Sequence, residues 1–425
     1  MISSDLKGTL SKISDLDYLV WKDIGNVKES LYRNNDIELD IMVSEDHTSV
    51  LLDRLHEEGY LGSINIIPEY LKKIYHFLKF TPTGYIHFHI YPSFLSGNHF
   101  SKEFYLDLPN FYSHYDLFNN LKVATPRLES FYSSLRYHMK AQSGLENIKL
   151  SDKENFNSFL EHNDDFSAHY QEIINNIDAY RYKSHMKVKL ENFYYKFCYR
   201  LYCKITKRNN KFMLSNLKIA FVGTDGSGKT TICTSIYKNI KRKLPVIHVY
   251  LGSNNRNYST KTWFLYICYK LFFRFFKITN LQYIYWRGLA AFEISRLNDT
   301  YNRYIKTNSD GFIVIYERFP IPGFLDFPNK VVNNGEPYIT NKQLKKINDY
   351  KIFWESESEK VKTMLITTPF KIMASRRNLD KNEYTDIFEK KKIEASFLNG
   401  SSINLNVIEN NGSLDNTLDK IYELL

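Results

Sequence analysis

The chain has 425 residues, of which 43% are hydrophobic and 16% aromatic, and its formal net charge is +10. That is enough apolar material for two or three packed domains, and it excludes an intrinsically disordered chain. The positive balance suits partners that carry phosphate, whether a nucleotide, a nucleic acid or an anionic membrane surface, without choosing among them.

The first residues, MISSDLKGTLSKISDLD, contain no apolar signal core. The most apolar run, WFLYICYKLFFRFF at 263–276, is short and is interrupted by Lys270 and Arg274, so it does not suit a membrane span. Four cysteines, Cys198, Cys203, Cys233 and Cys268, form no Cys-x-x-Cys pair and have no histidines at zinc-finger spacing. They read as inert thiols in a reducing compartment, and the expectation is a cytoplasmic protein.

Taken in order, residues 1–125 alternate short β-rich runs with helical ones, and residues 126–212 read as a mainly helical middle segment. Residues 213–425 alternate strand and helix in the βαβ manner. In the first stretch a strand over Asp36–Val43 carries Glu38 and Asp40, which alternation puts on one face, followed by a helix from Glu45 to about Glu58. A later strand, Tyr85–Ile90, carries His87 and His89 in the same alternation. They suit either a metal site or a hydrogen-bonded pair on a half-buried strand. The middle segment includes Tyr194–Arg208, where Lys and Arg interleave with aromatics. Such a run fits a nucleic-acid or peripheral membrane contact, or, as the favoured reading, an amphipathic linker helix with snorkelling cations.

The last stretch spells out five strands: Leu217–Val222, Val246–Tyr250, Phe312–Tyr316, Lys362–Thr367 and Asn404–Ile408. Helices are expected from Thr230 to about Lys241 and from Thr262 to about Lys306, the second broken near Thr279–Asn280. Continuous apolar strands of this kind imply a parallel sheet covered on both faces.

Between the first strand and the first helix of this stretch stands Gly223-Thr224-Asp225-Gly226-Ser227-Gly228-Lys229-Thr230-Thr231, which fits G-x-x-x-x-G-K-[ST] in full. Glycines let backbone N–H groups curl around an anion, and a helix that starts near Gly228 points its positive end at phosphates. Lys229 is placed to reach β and γ phosphates, and the Thr230 hydroxyl to hold Mg²⁺. The third strand ends in Glu317-Arg318. Glu317 could hold Mg²⁺ or its waters, or accept an acceptor's proton, while Arg318 would clamp an anionic acceptor group. Arg376 and Arg377 come after the fourth strand and could cover a transferring phosphoryl group, or form an ordinary solvated basic face. Glu409–Gly412 forms a turn that could edge an adenine pocket.

Together these residues resemble the thymidylate kinase family of nucleoside monophosphate kinases, over about residues 215–425. The likeness rests on the Asp225-bearing loop, on Glu317-Arg318-Phe319 in place of the family's Asp-Arg-Tyr/Phe, and on the arginines near 376. It implies a P-loop kinase domain at 213–425 using ATP and Mg²⁺, with Asp225 facing the acceptor and Arg318 on the acceptor's phosphate. Members of this class often dimerise, and the resemblance carries that expectation. The family's Arg-Glu-Pro-Gly-Gly-Thr segment is replaced by Tyr250-Leu-Gly-Ser-Asn-Asn-Arg256, and the residues after Glu317-Arg318 do not look like a thymidylate pocket.

With these departures the chain looks like thymidylate kinase-like proteins fused behind a nucleotidyltransferase-like domain, a combination found among bacterial surface-polysaccharide functions. The expected architecture is α/β: a P-loop kinase domain with a five-stranded parallel sheet, an α+β nucleotidyltransferase-like domain at 1–125, and the helical segment at 126–212. In that picture Glu38 and Asp40 would form a second Mg²⁺ site, although an upstream Gly-Ser and a third carboxylate are not evident. Three functions are compatible with these residues: a kinase with a small-molecule phosphate acceptor, a bifunctional kinase and nucleotidyltransferase, or a non-catalytic ATP-binding protein on membrane or nucleic acid. The first is the expectation adopted.

Overall fold

The computed structural model describes residues 4–33, 36–65, 74–82, 84–96, 104–106, 112–142, 159, 164–181, 186–187, 190, 211–213, 217–241, 243–253, 257–273, 281–308, 312–325, 327–377, 381–400 and 405–425. They divide into two compact units. One spans Met1–Ser215 with Lys243–Pro245 and Leu425, and the other spans Asn216–Arg242 and Val246–Leu424.

The first unit opens with α1 (Ser4–Ile13), β1 (Tyr18–Val20), α2 (Ile24–Arg33), β2 (Ile37–Val43) and α3 (Glu45–Glu57). A run of strands comes next: β3 (Leu61–Asn65), β4 (Ile74–Thr81), β5 (Gly84–Tyr91), β6 (Phe94–Ser96), β7 (Phe104–Leu106), β8 (Tyr115–Phe118) and β9 (Leu121–Ala124). Helices α4 (Pro126–Gln142) and α5 (Asp165–Asn175) succeed them, and β10 (Lys211–Met213) closes the unit. An eight-stranded mixed sheet runs β10-β3-β4-β5-β2-β1-β9-β8, with β2–β5 and β1–β9 parallel. The helices α4 and α5 of the expected middle segment belong to this unit, and α4 packs on β9. The basic aromatic run Tyr194–Arg208, with Cys198 and Cys203, lies outside the described residues.

The second unit is built on β11 (Leu217–Val222), α6 (Lys229–Ile240), β12 (Val246–Tyr250), α7 (Thr260–Cys268), α8 (Gln282–Thr307) and β13 (Ile313–Glu317). It continues with α9 (Asn329–Gly335), α10 (Asn341–Lys360), β14 (Lys362–Thr367), α11 (Phe370–Arg377), α12 (Lys381–Gly400), β15 (Asn406–Glu409) and α13 (Leu414–Leu424). Its five strands are all parallel in the order β12-β13-β11-β14-β15. The break expected near Thr279–Asn280 in the long helical stretch from Thr262 lies outside the described residues. α7 stops at Cys268, a π-type turn covers Tyr269–Phe273, and α8 begins at Gln282.

Alternation assigns the two faces of this sheet. Ala220, Val222, Val314, Tyr316 and Leu365 pack in one core with Leu289 and Tyr304 of α8 and Ile347 and Trp354 of α10. Trp354 is fully buried there, a side chain whose truncation to Ala in such a core costs about 3–5 kcal/mol. The intervening residues, Ile219, Phe221, Ile315 and Glu317, therefore face the other side, which α6 covers. No described helix is long and apolar enough to cross a membrane.

Candidate functional site

The loop between β11 and α6 adopts a conformation that its glycines make accessible. Gly223, Gly226 and Gly228 have φ of 143°, 88° and 93°. A Cβ on Gly223 would stand 2.3 Å from Ile366 O, and one on Gly228 would stand 2.4 Å from Asn410 Nδ2. Only glycine lets this loop press so closely against β14 and the turn after β15.

Several groups fix the loop from outside. Ser227 O accepts from Asn410 Nδ2 at 2.7 Å and from Thr368 Oγ1 at 3.2 Å. Asn410 is held in turn by its own N–H on Thr367 O and by the Thr417 hydroxyl. Thr224 donates from its N–H to Glu394 Oε2 at 3.1 Å, and its hydroxyl donates to the same oxygen. Lys229, 4% exposed, curls back so that Nζ donates to Gly223 O and Thr224 O, each at 2.7 Å.

The end of β13 delivers the next two residues. Glu317 closes the strand opposite Phe221 and Tyr250, and the pairing runs one step further through Arg318 N to Phe221 O and Leu251 N to Glu317 O. Glu317 is buried; Oε1 accepts from the Thr230 hydroxyl at 2.5 Å, and Oε2 lies 3.2 Å from His248 Nε2. Burial disfavours the ionised carboxylate. The His248 and Thr230 hydrogen bonds outweigh it, with help from the charge of Arg318, and the carboxyl titrates below its usual range.

Arg318 occupies the left-handed region at φ 61°, and its guanidinium donates to Asp225 Oδ1. A Cβ on Gly252 would stand 2.2 Å from Arg318 Cδ, so glycine at this position leaves room for the arginine. Lys390 Nζ of α12 is 3.0 Å from Asp225 Oδ2. Burial pushes the Asp225 carboxyl up, but Arg318, Lys390 and Lys229 together hold it down at about 2.

These parts meet in one cleft of about 420 Å³. Gly226, Gly228, Lys229, Thr230 and Thr231 form its floor at the start of α6, and Arg318 and Arg376 stand beside it. Asn410, Gly412 and Leu414 make its rim, at the turn read from the sequence as an edge. No protein-family model matches the chain, and no curated protein matches it.

The sequence-derived residues of the second unit are therefore drawn together, with one gap. Arg377 ends α11, but its side chain lies outside the described residues. Three contributors were missed. His248 lies in an apolar strand, and Lys390 and Glu394 lie in a charged helix whose partners are distant in sequence. The only available signal was Glu394 as a carboxylate three residues from Lys391 within a basic run.

In the first unit, Glu38 and Asp40 do share one face of β2, with His87 and His89 of β5 as their register partners. Asp40 Oδ1 is 2.9 Å from Lys22 Nζ and 2.9 Å from His89 Nδ1, and Glu38 accepts from the Tyr85 hydroxyl. His87 Nε2 is 3.1 Å from His76 Nδ1 of β4 and the rings stack, while His89 bonds Asp40 and Tyr91, so each histidine of the expected pair has a different partner.

Proposed function

We propose that the second unit is an ATP-dependent phosphotransferase of thymidylate kinase-like type, acting on a nucleoside monophosphate or another small acceptor. The reading rests on the cleft in which the Gly226–Thr231 loop, Arg318 and Arg376 converge. Backbone N–H groups at the start of α6 would take the nucleotide's phosphates. Lys229, bonded to its own loop's carbonyls, would exchange those neutral partners for phosphate oxygens, a stronger charge-assisted contact.

The Thr230 hydroxyl and the Glu317 carboxylate offer two hard oxygen ligands side by side, a donor set that fits Mg²⁺. Bound there, Mg²⁺ would neutralise phosphate charge and align the transferring group. Arg376 is exposed at the mouth of the cleft, where it would offset charge on the γ-phosphoryl oxygens. Arg318, anchored by Asp225, would present its guanidinium to the acceptor's anionic group.

The test is transfer from γ-labelled ATP to a panel of nucleoside monophosphates, sugars, polyols and a short oligonucleotide. Labelled product is expected with the wild type, and a fall of about 100-fold or more with Lys229→Ala and with Glu317→Ala. ATP binding with no transfer to any acceptor would overturn the reading.

A further inference from the structure

The α6 face of the second sheet holds a donor set of which the phosphotransferase reading uses only Glu317. His248 of β12 and Glu317 of β13 lie on that face by strand alternation, because Ile247, Tyr316 and Val249 belong to the opposite core. Cys233, on the second turn of α6, comes down onto the same spot and is fully buried. One ligand atom from each, Cys233 Sγ, His248 nitrogen and a Glu317 oxygen, lies within 4.8 Å of the others.

We propose that Cys233, His248 and Glu317 form a binding site for a thiophilic divalent cation of the Zn²⁺ class. In a tetrahedral site with bonds of about 2.0–2.3 Å, ligand atoms stand roughly 3.5 Å apart. The His248 and Glu317 atoms are already at 3.2 Å, and the Cys233 sulfur lies within 4.8 Å of both. Three protein ligands leave a fourth position for water or for the Thr230 hydroxyl, which already touches Glu317.

Thiolate and imidazole select Zn²⁺ or Co²⁺ over Mg²⁺, which prefers oxygen donors. On binding, the Cys233 thiol gives its proton to solvent. The thiolate and the carboxylate then balance the ion's two charges.

The site shares Glu317 with the cleft, so an ion held there withdraws this carboxylate from nucleotide-linked Mg²⁺ and opposes transfer. The binding itself does not depend on the phosphotransferase reading. Its assay contains no nucleotide, so failure of one leaves the other standing.

The experiment is titration of the full-length, metal-free protein with Co²⁺, monitored by visible and near-ultraviolet absorption. One equivalent is expected to give the intense d–d bands of a tetrahedral site and a thiolate-to-cobalt charge-transfer band, both bleached by Zn²⁺. Cys233→Ser should abolish the charge-transfer band, and His248→Gln should weaken binding by about 100-fold. Circular dichroism checks that each variant folds, and the wild-type spectrum decides even where a variant does not. Weak octahedral bands from the wild type, or an unchanged charge-transfer band in Cys233→Ser, would overturn the proposal, the second outcome placing the ion on another cysteine.

Discussion

Arg318 reaches from the end of β13 to donate to Asp225 Oδ1 in the glycine-rich loop, while Lys390 Nζ of α12 takes Oδ2 at 3.0 Å. Because the Asp225 carboxyl is held at about 2, below its ordinary value, its contribution is fully present above about pH 4. It fades as pH falls toward 2, when the folded state must also take up the proton. Asp225→Asn should therefore lower stability at pH 7 by about 1–2 kcal/mol, a figure discounted because the pair is about a quarter exposed. Denaturant midpoints for the two proteins should converge between pH 4 and pH 2. A gap that is constant with pH would remove the ion pairs as its cause.

Arg318 carries a second cost, its left-handed backbone at φ 61°. A residue with a Cβ in that region is strained by about 1–2 kcal/mol relative to glycine. Arg318→Ala and Arg318→Gly both lose the guanidinium, so they should be equally poor in the proposed transfer. Arg318→Gly should nevertheless be the more stable of the two by about 1 kcal/mol. Thermal unfolding of the pair reads this directly, and equal midpoints would mean that the loop relaxes out of the left-handed region once the arginine is gone.

Gly228 and Asn410 should be coupled. A Cβ at residue 228 meets Asn410 Nδ2 at 2.4 Å, and that same nitrogen holds Ser227 O. Gly228→Ala must displace the amide as well as bear its own φ of 93°. Asn410→Ala removes one of the two donors on a buried carbonyl, at about 1–3 kcal/mol. In the Asn410→Ala background the Gly228→Ala substitution should cost less than in the wild type, giving a coupling of about 1 kcal/mol in a double-mutant cycle. Strict additivity would show that the close approach is absorbed elsewhere.

How far the sequence carried can be seen in the second unit. Leu217–Val222, Val246–Tyr250 and Lys362–Thr367 were legible to the residue, because short runs rich in Val, Ile and Leu between polar segments read as strands of a parallel sheet. The third strand was read one residue early. Glu317 is a charged residue that nonetheless pairs within the sheet, and its burial depends on His248 and Thr230, which no local pattern reveals. Sheet order was not legible at all: β13 inserts between β11 and β12, although some sixty residues of helix and loop separate it from β12. In the first unit the face shared by Glu38 and Asp40 came from alternation alone, whereas the contact of Asp40 with Lys22 needed β1 to lie beside β2.

Glu394 tests whether α12 sets the shape of the loop. Its carboxylate is 2% exposed, accepts both the N–H and the hydroxyl of Thr224, and has Lys391 as its cation. Glu394→Ala would leave a buried N–H and a buried hydroxyl without this acceptor, a cost of about 2–3 kcal/mol. Glu394→Gln keeps an acceptor oxygen but turns its charge-assisted contacts into neutral ones, roughly half as strong, and should lose about 1 kcal/mol. If the latch positions the loop for phosphate, both variants should raise KM for ATP more than they lower kcat, with Ala the more severe. A change confined to kcat would place Glu394 on the reacting atoms instead of behind the loop. Unchanged kinetics with reduced stability would make it a packing group only.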